Sequence, residues 1–356
     1  MSEVRAKKAL GQHFLVDLNI ARKICDALSG GVRPEAGAET RAVAAGSADA
    51  DAETRTRGAG YAGAGAEART MAAGSADAGA EARTKATGTA DADAETRRGV
   101  AASADARLAA DTTAAGAPAA AEEERGGAVP CDVLEVGCGM GVLTQFLLRR
   151  GDITTYGAEI DPESVEYLHA HFPEFAPRLI EGDFLKMNLR ERFPRGLKII
   201  GNFPYNISSQ IFFKVLEHRD LVPECVGMIQ KEVAVRIAEP PGSKEYGILS
   251  VLLQAWYDIE YLFTVNETVF NPPPKVKSAV IRLRRNSVGR LGCDEALFVK
   301  VVKASFGQRR KMIRNSLRTV FGDFGGAEHP FFTQRAEQLS VADFVQLTNW
   351  VAANRK

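Results

Sequence analysis

The chain has 356 residues, room for two domains or one large one, and its 45 basic and 45 acidic side chains give a formal net charge of zero. No run approaches the roughly 18 consecutive apolar residues of a membrane helix. Met1 to Leu10 is basic without an apolar stretch behind it, so no membrane association and a cytoplasmic location are expected. The five cysteines are scattered with no CxxC pair, which argues against a zinc site or a disulfide framework and leaves no metal expected.

The zero charge is an average over unlike segments. Residues 35–128 hold 16 acidic and 10 basic side chains, whereas residues 275–318 hold 13 basic ones against Asp294 and Glu295 alone. A local excess of that size suggests a phosphate-bearing partner; the alternative is an ordinary solvated surface.

In chain order, Lys7-Lys8-Ala9-Leu10-Gly11-Gln12-His13-Phe14-Leu15 precedes a helix signal, with Asp17 as cap and Ile20, Ile24, Ala27 and Leu28 at helical spacing. From about residue 32 to 115 the sequence repeats every 14 residues, with copies starting at Gly46, Gly60, Gly74 and Gly88. Fourteen is two heptads, but the seam positions are Ala, Gly or Thr and supply no knobs for a coiled coil. Alanine makes up 36 of residues 35–128, and with so little to bury the segment cannot offset its ordering entropy. It reads as a disordered or transiently helical insertion.

Globular sequence resumes at Cys131-Asp132-Val133-Leu134-Glu135-Val136, an apolar strand that runs into Gly137-Cys138-Gly139-Met140-Gly141 and then a helix. This is the first βα turn of a doubly wound α/β fold. Val142 stands where a dinucleotide fingerprint needs its last glycine, which disfavours a dehydrogenase. A second strand, 153–160, ends at Ala158-Glu159-Ile160-Asp161, where Glu159 can accept ribose hydroxyls and Asp161 is placed to cap the helix opened by Pro162. A third, 178–181, leads to Gly182-Asp183-Phe184. Asp183 is either an acceptor for an adenine amine or a turn cap.

A buried strand at 197–200 delivers Gly201-Asn202-Phe203-Pro204-Tyr205-Asn206-Ile207-Ser208 to the sheet's C-terminal end, where open α/β sheets bind ligands. Pro204 fixes its own φ and biases Phe203 towards an extended conformation, which directs the Phe203 carbonyl. The Asn202 amide oxygen and that carbonyl can hold the two hydrogens of an exocyclic amine, whose delocalised lone pair is otherwise a poor nucleophile. Tyr205 offers a ring face for a flat heterocycle. The plainer reading is a turn whose Asn caps the next helix.

A helix at 207–217, a strand at 223–230 and a helix opening at Lys231 follow. Phe270-Asn271-Pro272-Pro273-Pro274-Lys275-Val276-Lys277-Ser278 is a rigid loop ending in a strand. The Phe270 ring can face Tyr205 across a flipped base, or belong to the core. From Gly292 the pattern is helical, and Arg309, Arg310, Lys311, Arg314 and Arg318 read as a basic helical stripe suited to phosphate contacts.

Asn-Phe-Pro-Tyr with the following Asn-Ile-Ser resembles motif IV of the ribosomal RNA adenine N6-dimethyltransferases. Leu10-Gly11-Gln12-His13-Phe14-Leu15 is similar to that family's N-terminal motif, Gln230-Lys231-Glu232-Val233-Ala234 and Tyr246-Gly247-Ile248-Leu249-Ser250 match it, and Phe306 with Arg309-Arg310-Lys311 matches its F-x-x-RRK. The resemblance covers nearly everything outside residues 33–128. It implies a Rossmann-like, S-adenosylmethionine-dependent methyltransferase domain at 1–32 and 129–287, and a small all-helical RNA-binding domain at 288–356. Residues 33–128 are an insertion where the family has a short loop. Glu135 before the glycine turn fits such an enzyme. The resemblance further implies cofactor contacts by His13, Leu15, Gly137, Gly139, Glu159, Asp183 and Asn202. Catalysis falls to Asn202, Phe203, Pro204, Tyr205 and Phe270, and RNA binding to Lys275, Lys277, Arg309, Arg310, Lys311 and Arg314. The implied reaction is dimethylation of two adjacent adenosines near the 3′ end of 16S rRNA in the small ribosomal subunit, by a monomer with a role in subunit biogenesis. The alternatives are a 23S rRNA methyltransferase of the macrolide-resistance type and an assembly factor acting mainly by binding.

Overall fold

Runs such as Cys131–Val136 and Lys198–Asn202 are buried along nearly their whole length, which requires helices over both sides of a sheet. The structure, a computed structural model, describes residues 10–30 and 130–355 together with Val4, Ala6 and Lys7. The repeat, and the reading of it as a coreless insertion, lie outside the described residues.

A short strand β1 (Phe14–Leu15) leads into helix α1 (Leu18–Ala27), whose first turn is capped by the Asp17 carboxylate, which accepts from the N–H groups of Asn19 and Ile20. Strands and helices then alternate as β2 (Cys131–Val136), α2 (Thr144–Leu147), β3 (Ile153–Glu159), α3 (Pro162–His171), β4 (Leu179–Glu181), α4 (Leu189–Arg192), β5 (Lys198–Asn202), α5 (Ser208–Glu217) and β6 (Glu224–Gln230). After α6 (Lys231–Ala238) and α7 (Ile248–Gln254) come β7 (Tyr257–Val265), β8 (Phe270–Asn271) and β9 (Ser278–Arg285). Helices α8 (Glu295–Gly307), α9 (Ile313–Phe321) and α10 (Val341–Asn354) follow.

Seven strands form one sheet in the order β4-β3-β2-β5-β6-β9-β7. The first five are parallel, and β9 runs antiparallel between β6 and β7. From β2 the chain builds outward through β3 and β4, then crosses back to β5, so a crevice opens between the C-terminal ends of β2 and β5. Strands β1 and β8 pair separately, Phe14 opposite Asn271 and Leu15 opposite Phe270.

Alternating side chains fill the two faces. Leu134, Ile199 and Phe203 join a cluster that runs through Phe212, Tyr246 and Trp256 to Phe298, Val302, Leu317 and Phe344 of the last three helices. Val133, Ile200 and Val226 point the other way, against Leu15, Ile24, Leu147 and Phe270. Helices α8, α9 and α10 account for much of the chain beyond residue 288, and their buried side chains share the first of these cores with the sheet.

Two expectations are corrected. Residues 308–312 are not helical: α8 ends at Gly307, Gln308 leaves helical geometry (φ −127°, ψ 52°), and the Lys311 N–H closes a turn on the Gln308 carbonyl at 2.7 Å. Arg309, Arg310 and Lys311 therefore sit on an interhelical turn, with Arg314 and Arg318 on α9. Strand β5 also runs on to Asn202, so this amide is held by the ladder, opposite Met228 of β6.

At the N-terminal ends of the parallel strands the chain is clamped. The Lys198 ammonium donates to Ser29 O (3.0 Å), Ser29 Oγ (2.6 Å) and Gly30 O (3.0 Å) and pairs with the buried Glu224 carboxylate at 3.1 Å. Arg150 donates to the carbonyls of Cys25 (3.1 Å), Leu28 (3.0 Å) and Ser29 (3.3 Å). Lys198 is the register partner of Val133, so the chain leaves at Gly30 and returns at Cys131 on one edge, at the far end of the strands from the crevice.

Candidate active site

The turn after β2 must pass close beneath whatever fills the crevice. Gly139 has φ +53°, a conformation that side chains with a Cβ rarely adopt, and an added Cβ would stand 3.1 Å from the Phe14 ring. Its N–H instead donates to Glu159 Oε2 at 2.8 Å, while Glu159 Oε1 accepts from the N–H groups of Ile160 and Asp161, both at 2.9 Å. Burial raises the Glu159 carboxyl above its ordinary value, and these backbone donors oppose the shift. Glu135 is 1 % exposed, accepts from Thr144 Oγ1 at 2.6 Å, and is pushed up to about 8 by burial. Both carboxyls line one cavity with Gly137, Cys138, Asp183, Phe184 and Asn202.

Asp183 takes the turn-cap role and also faces the cavity. Its Oδ1 caps the single turn Phe184–Lys186 by accepting the Leu185 N–H at 2.9 Å, and the residue lines the cavity. Asp161 takes the cap position before Pro162, yet its carboxylate does not cap. It receives the Lys7 ammonium, Gln12 Nε2 (3.3 Å) and Ser164 Oγ (3.0 Å). Burial pushes Asp161 up, but those donors outweigh it and hold the carboxyl below its ordinary value.

Asn202 Nδ2 donates to the His13 carbonyl at 2.9 Å. An amide so anchored leaves its oxygen as the acceptor that remains to be used. The Phe203 ring is buried, edge-on to Phe212 with centroids 5.8 Å apart, and fits between Gly201 and Gly227, where any Cβ would strike it. The ring is thus committed to the core, and the Phe203 N–H is fixed by Met228 O at 3.0 Å. The Tyr205 hydroxyl pairs with Ser278 Oγ, and burial raises it above the ordinary phenol value.

Residues 10–15 cross the crevice. Gln12 reaches Asp161 at the end of β3, His13 holds Asn202 at the end of β5, and His13 Nδ1–H donates to Pro272 O at 2.9 Å. Leu15 is 2 % exposed and lines the cavity, as does His13. The ring beside Tyr205 is that of His13, with centroids 5.2 Å apart and planes inclined by 31°. Phe270 does not take that place: it is 3 % exposed, paired with Leu15 across β1 and β8 and packed in the core, so its core reading is the one observed.

The basic residues divide. Lys275 and Lys277 are exposed on the loop between His13's partner Pro272 and Tyr205's partner Ser278, at the edge of the site. Arg310 and Lys311 are exposed on the turn between α8 and α9. Arg309 bonds the Lys244 carbonyl and Arg314 pairs with Glu328, so both brace the fold. The sequence reading missed Lys7, Thr144 and Ser278 as supports of the site, because no local pattern marks a partner that is distant in the chain.

A parallel sheet with this strand order, a glycine turn after its first strand and carboxylates at successive strand ends is the framework of Rossmann-like, S-adenosylmethionine-dependent methyltransferases. The lining suits that cofactor, since buried carboxyls face a cavity walled by Val136, Phe184 and Leu185. The family model for ribosomal RNA adenine dimethylase matches residues 130–353, and the chain belongs to that family. Ribosomal RNA small subunit methyltransferase A of Parabacteroides distasonis is 61% identical over 218 residues, covering 61% of this chain and 81% of the relative. The protein of the same name from Porphyromonas gingivalis is 59% identical over 220 residues, covering 61% of this chain and 84% of the relative. A crystal structure of a dimethyladenosine transferase from Plasmodium falciparum superposes with a TM-score of 0.52 at 26% identity, covering 63% of this chain and 90% of that one.

Proposed function

We propose that this enzyme dimethylates the N6 amines of two adjacent adenosines near the 3′ end of 16S rRNA within the small ribosomal subunit, acting as a cytoplasmic monomer during subunit biogenesis. The observation that carries the mechanism is the anchored Asn202 amide. With Nδ2 committed to the His13 carbonyl, its oxygen and the Phe203 carbonyl accept the two N6 hydrogens. That arrangement draws the nitrogen towards a pyramidal, more nucleophilic geometry. Tyr205 supports the base on its ring. S-adenosylmethionine, when bound, supplies an electrophilic sulfonium methyl group. Gly137, Gly139, Glu159, Asp183, His13 and Leu15 hold it, and residues 10–15 restrict water above it. Lys275, Lys277, Arg310 and Lys311 meet the RNA backbone.

Relatives near 60% identity carry the small-subunit name, which favours this substrate over large-subunit rRNA. An intact site favours catalysis over binding alone. No helix among the described residues is long and apolar enough to cross a membrane. The test is primer extension on rRNA from cells with and without the gene, since dimethylated adenosines block reverse transcription. A stop at adjacent small-subunit adenosines that vanishes on deletion is expected. A stop that vanishes only from large-subunit rRNA overturns the substrate, and unchanged stops in both overturn the activity.

A further inference from the structure

Helix α5 begins three residues after Tyr205, and its inward side chains Ile211, Phe212, Val215 and Leu216 are apolar. Among them stands Lys214, only 9 % exposed. A leucine or methionine would fill this place without desolvating an ammonium, so its presence calls for a reason. No carboxylate lies within salt-bridge reach of it among the described residues. Its Nζ donates to the carbonyls of Leu185 at 2.9 Å and Met187 at 2.6 Å, and it lies 5.5 Å from the centre of the Phe184 ring. Burial draws the ammonium below the ordinary lysine value, and the more distant charges of Glu217 and Asp183 oppose that shift.

The segment so held is one wall of the cavity. Asp183, Phe184 and Leu185 line it around the single turn Phe184–Lys186, which stops short of α4 and leaves the Leu185 and Met187 carbonyls to Lys214. We infer that Lys214 is a positioning residue of the methyl-transfer site: it fixes the wall carrying Asp183 and Phe184 to the helix that follows the Asn202–Tyr205 stretch. The cofactor's adenosine end and the target-base loop are thereby set at one spacing. The inference rests on the reading of Asp183 as an adenine contact.

The experiment is calorimetric titration of the full-length protein with S-adenosylhomocysteine and with 5′-deoxy-5′-methylthioadenosine, which keeps only the nucleoside end. Losing two charge-assisted bonds to that wall, Lys214→Met weakens both ligands about tenfold, and Lys214→Arg restores most of the loss. If Lys214→Met does not fold, Lys214→Gln, which keeps a donor but falls short of the carbonyls, carries the same expectation. Asp183→Ala is the control. If it weakens both ligands while the Lys214 variants bind normally, the inference fails and the adenine reading stands. If Asp183→Ala also binds normally, the adenine reading falls and the inference with it. A Lys214 variant that only melts at lower temperature, with unchanged ligand affinity, assigns the side chain to stability and overturns the proposal.

Discussion

Asn202 has its amide nitrogen pinned to the His13 carbonyl, which aims its oxygen, and Asn202→Ala removes the proposed acceptor for the target amine. Methyl incorporation into small-subunit particles in single-turnover assays falls by roughly a hundredfold or more, the scale of losing one aimed polar group in a closed site. Affinity for S-adenosylhomocysteine stays within about threefold, since most of the cavity wall is untouched; near-normal turnover removes Asn202 from its role. Glu135 makes a prediction about pH. Its folded value of about 8 lies above the ordinary 4.5, so the native state keeps a proton that the unfolded chain releases. Its contribution therefore falls as pH rises from about 4.5 to 8 and is level on either side. Denaturant midpoints between pH 5 and 8 decline less steeply in Glu135→Gln than in the native protein; identical slopes assign the decline to other groups. Glu159, Asp183 and Asn202 were legible in the sequence because each ends a strand, and the end of a parallel strand faces the ligand. Phe270 was not: a single aromatic before a proline loop has no periodic neighbours to say which way it points.

Among the elements, the segment over the crevice depends on Gly11. With φ +64°, an added Cβ there would stand 2.6 Å from Asn206 Oδ1. Gly11→Ala lifts residues 10–15 at a cost of about 1–2 kcal/mol. Hydrogen exchange at Phe14 and Leu15 quickens and cofactor affinity drops, whereas unaltered exchange shows that the segment tolerates the strain. Strands β2, β3 and β5 were readable from apolar runs closing on glycine or acid. Strand β7 was not identified, since it is an edge strand with mostly half-exposed residues and offers no clean alternation. The turn at 308–312 was hidden because helical spacing continues on both sides and Gly307 alone marks the break.

At the scale of the whole molecule, Gly30 and Cys131 both lie at the clamped end of the strands, far from the crevice. Excising residues 35–126 and joining the ends leaves cofactor affinity and methylation within about twofold, as expected when a connection between neighbouring points is shortened. Failure of the shortened chain to fold overturns that expectation. Charge bias pointed to the basic segment, but only the fold shows which cations are available. Arg309 and Arg314 are spent on the protein's own carbonyl and carboxylate, whereas Arg310 and Lys311 have no such side-chain partner among the described residues.

The clamp has one more consequence. Residues before Gly30 are held to the rest by a two-residue strand pair, an anchored amide, a buried helix face and the carbonyls gripped by Arg150 and Lys198. Those bonds would exist even if the covalent connection were cut. A fragment ending at Gly30, supplied in trans to the remainder, is therefore expected to restore cofactor binding, and no recovery overturns that expectation.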